Sequence, residues 1–266
     1  MRALLKNLSH VLVIAALAAT SCSKEEDASI EPFNKGSETA VTSSSTWEFY
    51  WAQTPVNSLI SKTLPANVGN VSKNYVLYVP STYNDNYNKW PLVIFLHGIG
   101  EMGTDLNKVK NVGLCRVVKG KQFVMVAPQC LSGWWNTSAL NEFLKQIIPK
   151  FHVDPKRIYL TGLSMGGYGT WDWAENYASQ FAAIVPISGG GDVNKACNLK
   201  TMPIWAFHNA DDPTVSVNNS RDMVKAVKAC GSTKIRYTEN ATGGHDAWTK
   251  AYADPNLYTW LLAQHK

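Results

Sequence analysis

Tyr159-Leu160-Thr161-Gly162-Leu163-Ser164-Met165-Gly166-Gly167 is the stretch on which the reading of this chain turns. A short apolar run of the buried-strand type enters Gly-x-Ser-x-Gly. The residues beyond it, with Tyr168, Trp171 and Ala174 at helical spacing, read as a helix. A serine at so tight a strand-to-helix turn holds strained backbone angles, and neighbours bearing a Cβ would clash, so glycines at 162 and 166 flank it. The helix that follows turns its positive end toward the place where an anionic intermediate would form. Ser164 is therefore the candidate nucleophile.

A serine hydroxyl at its ordinary pKa attacks poorly and needs a histidine base held by an acid. For a nucleophile on such a turn the expected chain order is serine, acid, histidine. His208, His245 and His265 follow Ser164. His265 sits beside the last residue, where a chain frays. His208 closes a strand and precedes the acidic candidates, which would reverse the order. Gly243-Gly244-His245-Asp246 puts His245 on a glycine-rich loop that can reach across to the serine, so His245 is the expected base. The acid must come from a loop at the same sheet edge. Asp211 and Asp212, in Asn209-Ala210-Asp211-Asp212-Pro213, and Asp192, after the preceding strand, are the candidates.

Acyl transfer also needs hydrogen-bond donors for the oxyanion, each worth roughly 3–4 kcal/mol. The loop Leu96-His97-Gly98-Ile99-Gly100 follows the apolar run 92–96, and the backbone N–H groups of Ile99 and Met165 are assigned to this role. Gly98 and Gly100 let the backbone approach the substrate closely. His97 is expected to brace this loop beside the substrate rather than to move protons.

Outside these motifs the chain alternates between two patterns. Apolar runs at 91–96, 123–127, 157–160, 182–187 and 203–207 have the character of strands buried on both faces. Residues 75–79 alternate and stop at Pro80, and the more polar 234–238 reads as an edge strand. Between them, 138–151 carries an i, i+3, i+4 apolar stripe, Met223, Val224 and Val227 do the same, and Asp254-Pro255 opens a last helix. Alternating strands and helices with short connections predict an α/β domain: a mostly parallel sheet covered by helices on both faces, without a large lid.

The 266 residues, 45% of them hydrophobic, suffice for one large domain with extensions. Arg2 and Lys6 precede the apolar run 11–19, which ends in Thr20-Ser21-Cys22. This predicts a lipoprotein leader over 1–21 and lipid on Cys22, followed by an acidic cluster, Glu25-Glu26-Asp27, of the kind that sends lipoproteins to the outer membrane surface. Residues 22–46 read as a flexible polar tether, with the folded domain over 47–266. The membrane is thus expected as a partner only through the anchor; without lipid on Cys22 the protein is expected to be periplasmic or secreted. Without Arg2 and Lys6, 23 basic side chains stand against 20 acidic ones, too even a balance for a nucleic-acid surface. Cys115, Cys130, Cys197 and Cys230 suit an oxidising compartment. Cys197–Cys230 is the favoured pair, because both flank one strand-helix unit. No cysteine or histidine cluster has metal-ligand spacing.

Taken together, PLVIFLHGIGEMG (91–103), VDPKRIYLTGLSMGGYGTW (153–171), FHNADDPTVSV (207–217) and GGHDAW (243–248) resemble the α/β-hydrolase superfamily. Within it they resemble the small secreted esterases of the feruloyl and acetyl-xylan type and the phospholipase/carboxylesterase group. The likeness runs from about residue 75 to the end. It implies an acid immediately before Pro213, hence Asp212, and chemistry without metal or nucleotide cofactor. Two positions depart from the pattern: Asn209, where glycine is usual and where asparagine tolerates positive φ, and Ser216, where proline is usual.

The chain has 10 Trp and 11 Tyr, many for its length. In Gly133-Trp134-Trp135-Asn136 an aromatic platform is expected to stack on a sugar or phenolic ring, Trp135 more than Trp134. The resulting expectation is a serine carboxylic-ester hydrolase acting through an acyl-enzyme on acylated plant polysaccharide. The alternatives are a prolyl-oligopeptidase-like peptidase, for which residues 23–74 offer too little chain for a gating domain, and a surface carbohydrate-binding module without turnover.

Overall fold

The computed structural model describes residues 54–85 and 88–266; the expected leader, Cys22, the tether and the domain start at Trp47 lie outside the described residues. Eight strands form one sheet: β1 (Ile60–Thr63), β2 (Val71–Tyr78), β3 (Trp90–Leu96), β4 (Val124–Cys130), β5 (Val153–Leu163), β6 (Ala183–Ile187), β7 (Ile204–Asn209) and β8 (Ile235–Asn240). Their order is β1-β2-β4-β3-β5-β6-β7-β8. The pairs β1/β2 and β2/β4 are antiparallel, and every neighbouring pair from β4 through β8 is parallel. All the expected strands are present, and the polar one, β8, is the sheet edge. The unexpected β1 is a four-residue edge whose side chains alternate between half-buried and exposed, too short to stand out as a pattern.

The helices are α1 (Leu106–Lys110), α2 (Thr137–Ile147), α3 (Met165–Tyr177), α4 (Asn218–Ala229), α5 (Trp248–Ala253) and α6 (Pro255–Leu262). The period of two along the strands divides them between two layers. Leu92, Ile94 and Leu96 pack with Leu140, Phe143, Trp171 and Met223, so α2, α3 and α4 cover one face. Val93 and Phe95 pack with Val109, Tyr252 and Leu261, so α1, α5 and α6 cover the other. A strand buried on both sides needs apolar residues at every position, which is why β3 reads as an unbroken run. Helices α1 and α5, at 5 and 6 residues, are too short to show a periodicity.

Caps place the ends that matter for the site. Asn136 accepts the Ala139 N–H and starts α2 directly after Trp134-Trp135. Asp254 accepts the Asn256 N–H ahead of Pro255, as the Asp-Pro pair predicts. Cys197 and Cys230 form a disulfide, whereas Cys115 and Cys130 are buried free thiols, so the favoured pairing is present and the other two cysteines serve packing.

Candidate active site

Ser164 lies between the end of β5 and the first residue of α3, with φ +53° and ψ −118°. That left-handed backbone is costly for a residue with a side chain and persists because its surroundings enforce it. The Ser164 N–H donates to the Ile187 carbonyl at 3.0 Å, and its carbonyl accepts the Tyr168 N–H at 3.0 Å. The flanking glycines are there for closeness. A Cβ on Gly162 would strike the Gly166 carbonyl, and one on Gly166 would strike the carbonyls of Leu96 and His97. The β5 end, the α3 start and the loop after β3 are thus in backbone contact at one point.

The loops after β7 and β8 converge on the same point. The Ser164 hydroxyl donates to His245 Nε2 at 2.8 Å, and His245 Nδ1–H donates to Asp212 Oδ2 at 2.8 Å. Oδ1 of Asp212 accepts the N–H groups of Thr214 and Val215 at 2.8 and 2.9 Å. Burial alone would raise the Asp212 carboxyl; the His245 hydrogen bond and these two N–H donors outweigh it and hold the group below the usual carboxylate range. Asp212 thus stands as the anion that orients the imidazole. Asp211 faces the other way and accepts the N–H groups of Gly243 and Gly244, tethering the loop that carries His245. Asp192 caps a 3-10 turn and His265 is exposed, and the hydrogen-bond chain from Ser164 through His245 ends on Asp212 instead.

Other anchors of the histidine loop are not apparent in the sequence. The Asn209 side chain donates to the Gly244 carbonyl at 3.0 Å and accepts from Asn240. It lies within β7 without positive φ, so its role is this hydrogen bond rather than tolerance of a left-handed turn. Ser188, directly after β6, has φ +49° and donates its hydroxyl to the His245 carbonyl at 3.2 Å.

Where the oxyanion donors are expected, a Cβ on Gly98 would lie 3.6 Å from that of Ser164, so the loop bearing Ile99 rests against Ser164. Met165, as the first residue of α3, has an N–H that the helix itself leaves without a partner. Ile99 itself is 60% exposed.

The bracing role expected of His97 is present, whereas its place beside the substrate and the preference for Trp135 need correction. His97 is fully buried and does not reach the substrate surface. Its Nδ1–H donates to the Gly98 carbonyl at 2.6 Å and its Nε2 accepts the Cys130 N–H at 3.0 Å, clamping the loop to β4. Trp135, preferred as the stacking residue, is 5% exposed: its indole N–H donates to the His97 carbonyl at 3.2 Å, and its rings pack 4.8 Å from the imidazole. Trp134 is the exposed indole, at 62%, set edge-on to Tyr168. Gln129, unremarked in the sequence, holds the same loop by donating to the Glu101 and Asp105 carbonyls.

A parallel sheet whose carboxyl edge presents a strained serine, with a histidine and an aspartate delivered by later loops, is the architecture of an α/β-hydrolase. No family model matches the chain. It is 30% identical over 191 residues to a probable feruloyl esterase C of Aspergillus flavus, covering 66% of this chain and 68% of that protein. It is 25% identical over 197 residues to a bifunctional acetylxylan esterase/xylanase of Neocallimastix patriciarum, covering 68% of this chain but only 28% of the relative. The crystal structure of a thermostable esterase superposes with a TM-score of 0.67 at 34% identity, covering 79% of this chain and 64% of that one. The chain belongs to the family of the feruloyl esterase C proteins, within the α/β-hydrolase superfamily.

Proposed function

We propose that this protein is a serine carboxylic-ester hydrolase that removes feruloyl or acetyl groups from plant polysaccharide. Ser164 Oγ attacks the ester carbonyl while His245 Nε2 takes its proton, and Asp212 holds the imidazole in the tautomer that presents Nε2 as acceptor. The N–H groups of Ile99 and Met165 receive the oxyanion. His245 returns the proton to the departing alcohol, and water, activated by the same imidazole, releases the acid from the acyl-enzyme. No step calls on a metal or an organic cofactor.

One observation carries this reading: the continuous hydrogen-bond chain from Ser164 through His245 to Asp212, 2.8 Å at each link. The choice of acyl group draws on the feruloyl and acetylxylan esterases among the relatives. The leader and Cys22 support placing the enzyme on the outer membrane by a lipid anchor.

Hydrolysis of p-nitrophenyl acetate and methyl ferulate by wild type and Ser164→Ala tests the proposal. The variant is expected to lose at least about three orders of magnitude in kcat, and wild-type rates in Ser164→Ala would refute the assignment.

A further inference from the structure

One turn beyond the nucleophile, Tyr168 of α3 meets the exposed Trp134 edge-on, with ring centroids 5.6 Å apart and an interplanar angle of 89°. This pair forms one wall of a cavity of about 340 Å³ whose remaining lining includes Asp172, Glu175, Gly190, Gly191 and Asp192. Tyr168, Asp172 and Glu175 follow at four- and three-residue steps and so share one face of α3. At 1.5 Å per residue Tyr168 lies about 6 Å, and Asp172 about 12 Å, along the helix axis from Ser164. The cavity therefore begins at Tyr168, about one helical turn from Ser164.

The chemistry of the lining selects which half of an ester it suits. Glu175 is buried, and its two carboxylate oxygens share a single donor, the Asp192 N–H, at 3.1 and 3.2 Å. A carboxylate offers about four acceptor positions, so most of its capacity is unused. Gly191 permits the arrangement, since a Cβ there would collide with Glu175 Oε1. Burial, with Asp172 and Asp192 close by, raises the Glu175 carboxyl to about 7. Asp172 and Glu175 line the floor with carboxyl oxygens, Glu175 carrying a proton in part near neutrality, so the floor suits a neutral ligand with several hydroxyl groups that accept as well as donate. The wall is aromatic and calls for a flat apolar face. An acetyl group has neither property and a feruloyl group has one phenolic proton; a neutral sugar ring has both.

We propose that this cavity is a glycosyl subsite for the alcohol half of the ester, in which a neutral sugar lies against Trp134 and Tyr168 and hydrogen-bonds through its hydroxyl groups to Asp172 and Glu175. The proposal rests on the esterase reading and adds the side of the substrate on which specificity is exerted.

Two substrates sharing an acyl group test it: methyl ferulate and a feruloylated xylo-oligosaccharide. In Trp134→Ala and in Asp172→Asn the ratio of kcat/KM for the oligosaccharide ester to that for methyl ferulate is expected to fall about tenfold. A ratio unchanged in both variants overturns the subsite, including the case in which both substrates weaken equally because the acyl group occupies the cavity. A second arm needs no turnover. Calorimetric titration of Ser164→Ala with a neutral xylo-oligosaccharide is expected to show binding that is lost when Trp134→Ala is added, and binding that survives this change overturns the proposal. If p-nitrophenyl acetate hydrolysis persists in Ser164→Ala, the catalytic reading falls, and the titration still decides the subsite.

Discussion

His208 stands directly behind Asp212: its Nε2 lies 3.3 Å from Oδ2, the same oxygen that His245 Nδ1 reaches at 2.8 Å. Val215 offers its carbonyl to the same His208 nitrogen at 3.0 Å, and Nδ1 is 2.7 Å from the Ser220 hydroxyl. The carboxylate is thus packed between two imidazoles, one facing Ser164 and one sealed in the core, and its position is set from both sides.

That setting separates two neighbouring acids. Asp212→Asn presents a donor to His245 Nδ1–H and favours the wrong tautomer, so kcat for p-nitrophenyl acetate is expected to fall by about 10³–10⁴ with the fold intact. Asp211→Asn keeps a carbonyl oxygen for the Gly243 and Gly244 N–H groups and is expected to cost about tenfold or less. Equal losses in the two variants would contradict the geometry.

Acid stability depends on His97. The Cys130 N–H donates to Nε2, so the folded protein holds the ring neutral, and burial lowers its pKa from 6.5 to about 4, against the smaller opposing effect of the Gly98 carbonyl. Between these values the unfolded chain binds a proton that the folded one does not. Stability present above pH 6.5 is therefore lost as pH falls toward 4, by up to about 3 kcal/mol from this group. Burial also lowers His208, which acts in the same direction. Urea melts at pH 7 and 4.5 are expected to show a smaller pH difference in His97→Gln than in wild type, although the variant is less stable at pH 7.

The glycines of the site are not equivalent. Gly166→Ala drives a Cβ into the Leu96 and His97 carbonyls, which are backbone atoms of the central sheet and its loop, and should cost several kcal/mol or prevent soluble expression. Gly100 has open space around its Cβ position and no positive φ, so Gly100→Ala should change stability by no more than about 0.5 kcal/mol. Thermal melts of the two variants make the comparison.

The Cys197–Cys230 disulfide spans a sequence separation of 33, for which loop-closure entropy suggests about 3–4 kcal/mol. The Cys197→Ser/Cys230→Ser double variant is expected to melt several degrees lower than wild type, and reduction of wild type should bring it to the same point. Burial pushes the thiols of Cys115 and Cys130 up, so neither should be alkylated until the protein unfolds.

Most of the sheet and the place of the serine were legible along the chain because their causes are local. Unbroken apolar runs follow from burial on both faces, and Gly162 and Gly166 follow from backbone clearances of a single turn. The order of Ser164, the acid and His245 follows from topology, which the alternation of strand and helix already implies. Side-chain direction at adjacent positions has no such local cause. Asp211 and Asp212 are the same residue type, and so are Trp134 and Trp135; which member points inward depends on where the closed loop meets its neighbours. Asn209 and Ser188 hold the histidine loop through contacts 35 and 57 residues away in sequence, and no periodicity announces a bond of that range. Composition and spacing therefore settled what kinds of group meet at the carboxyl edge, and the packing of distant loops settled which atoms face one another, because a hydrogen bond depends on positions that chain order leaves free.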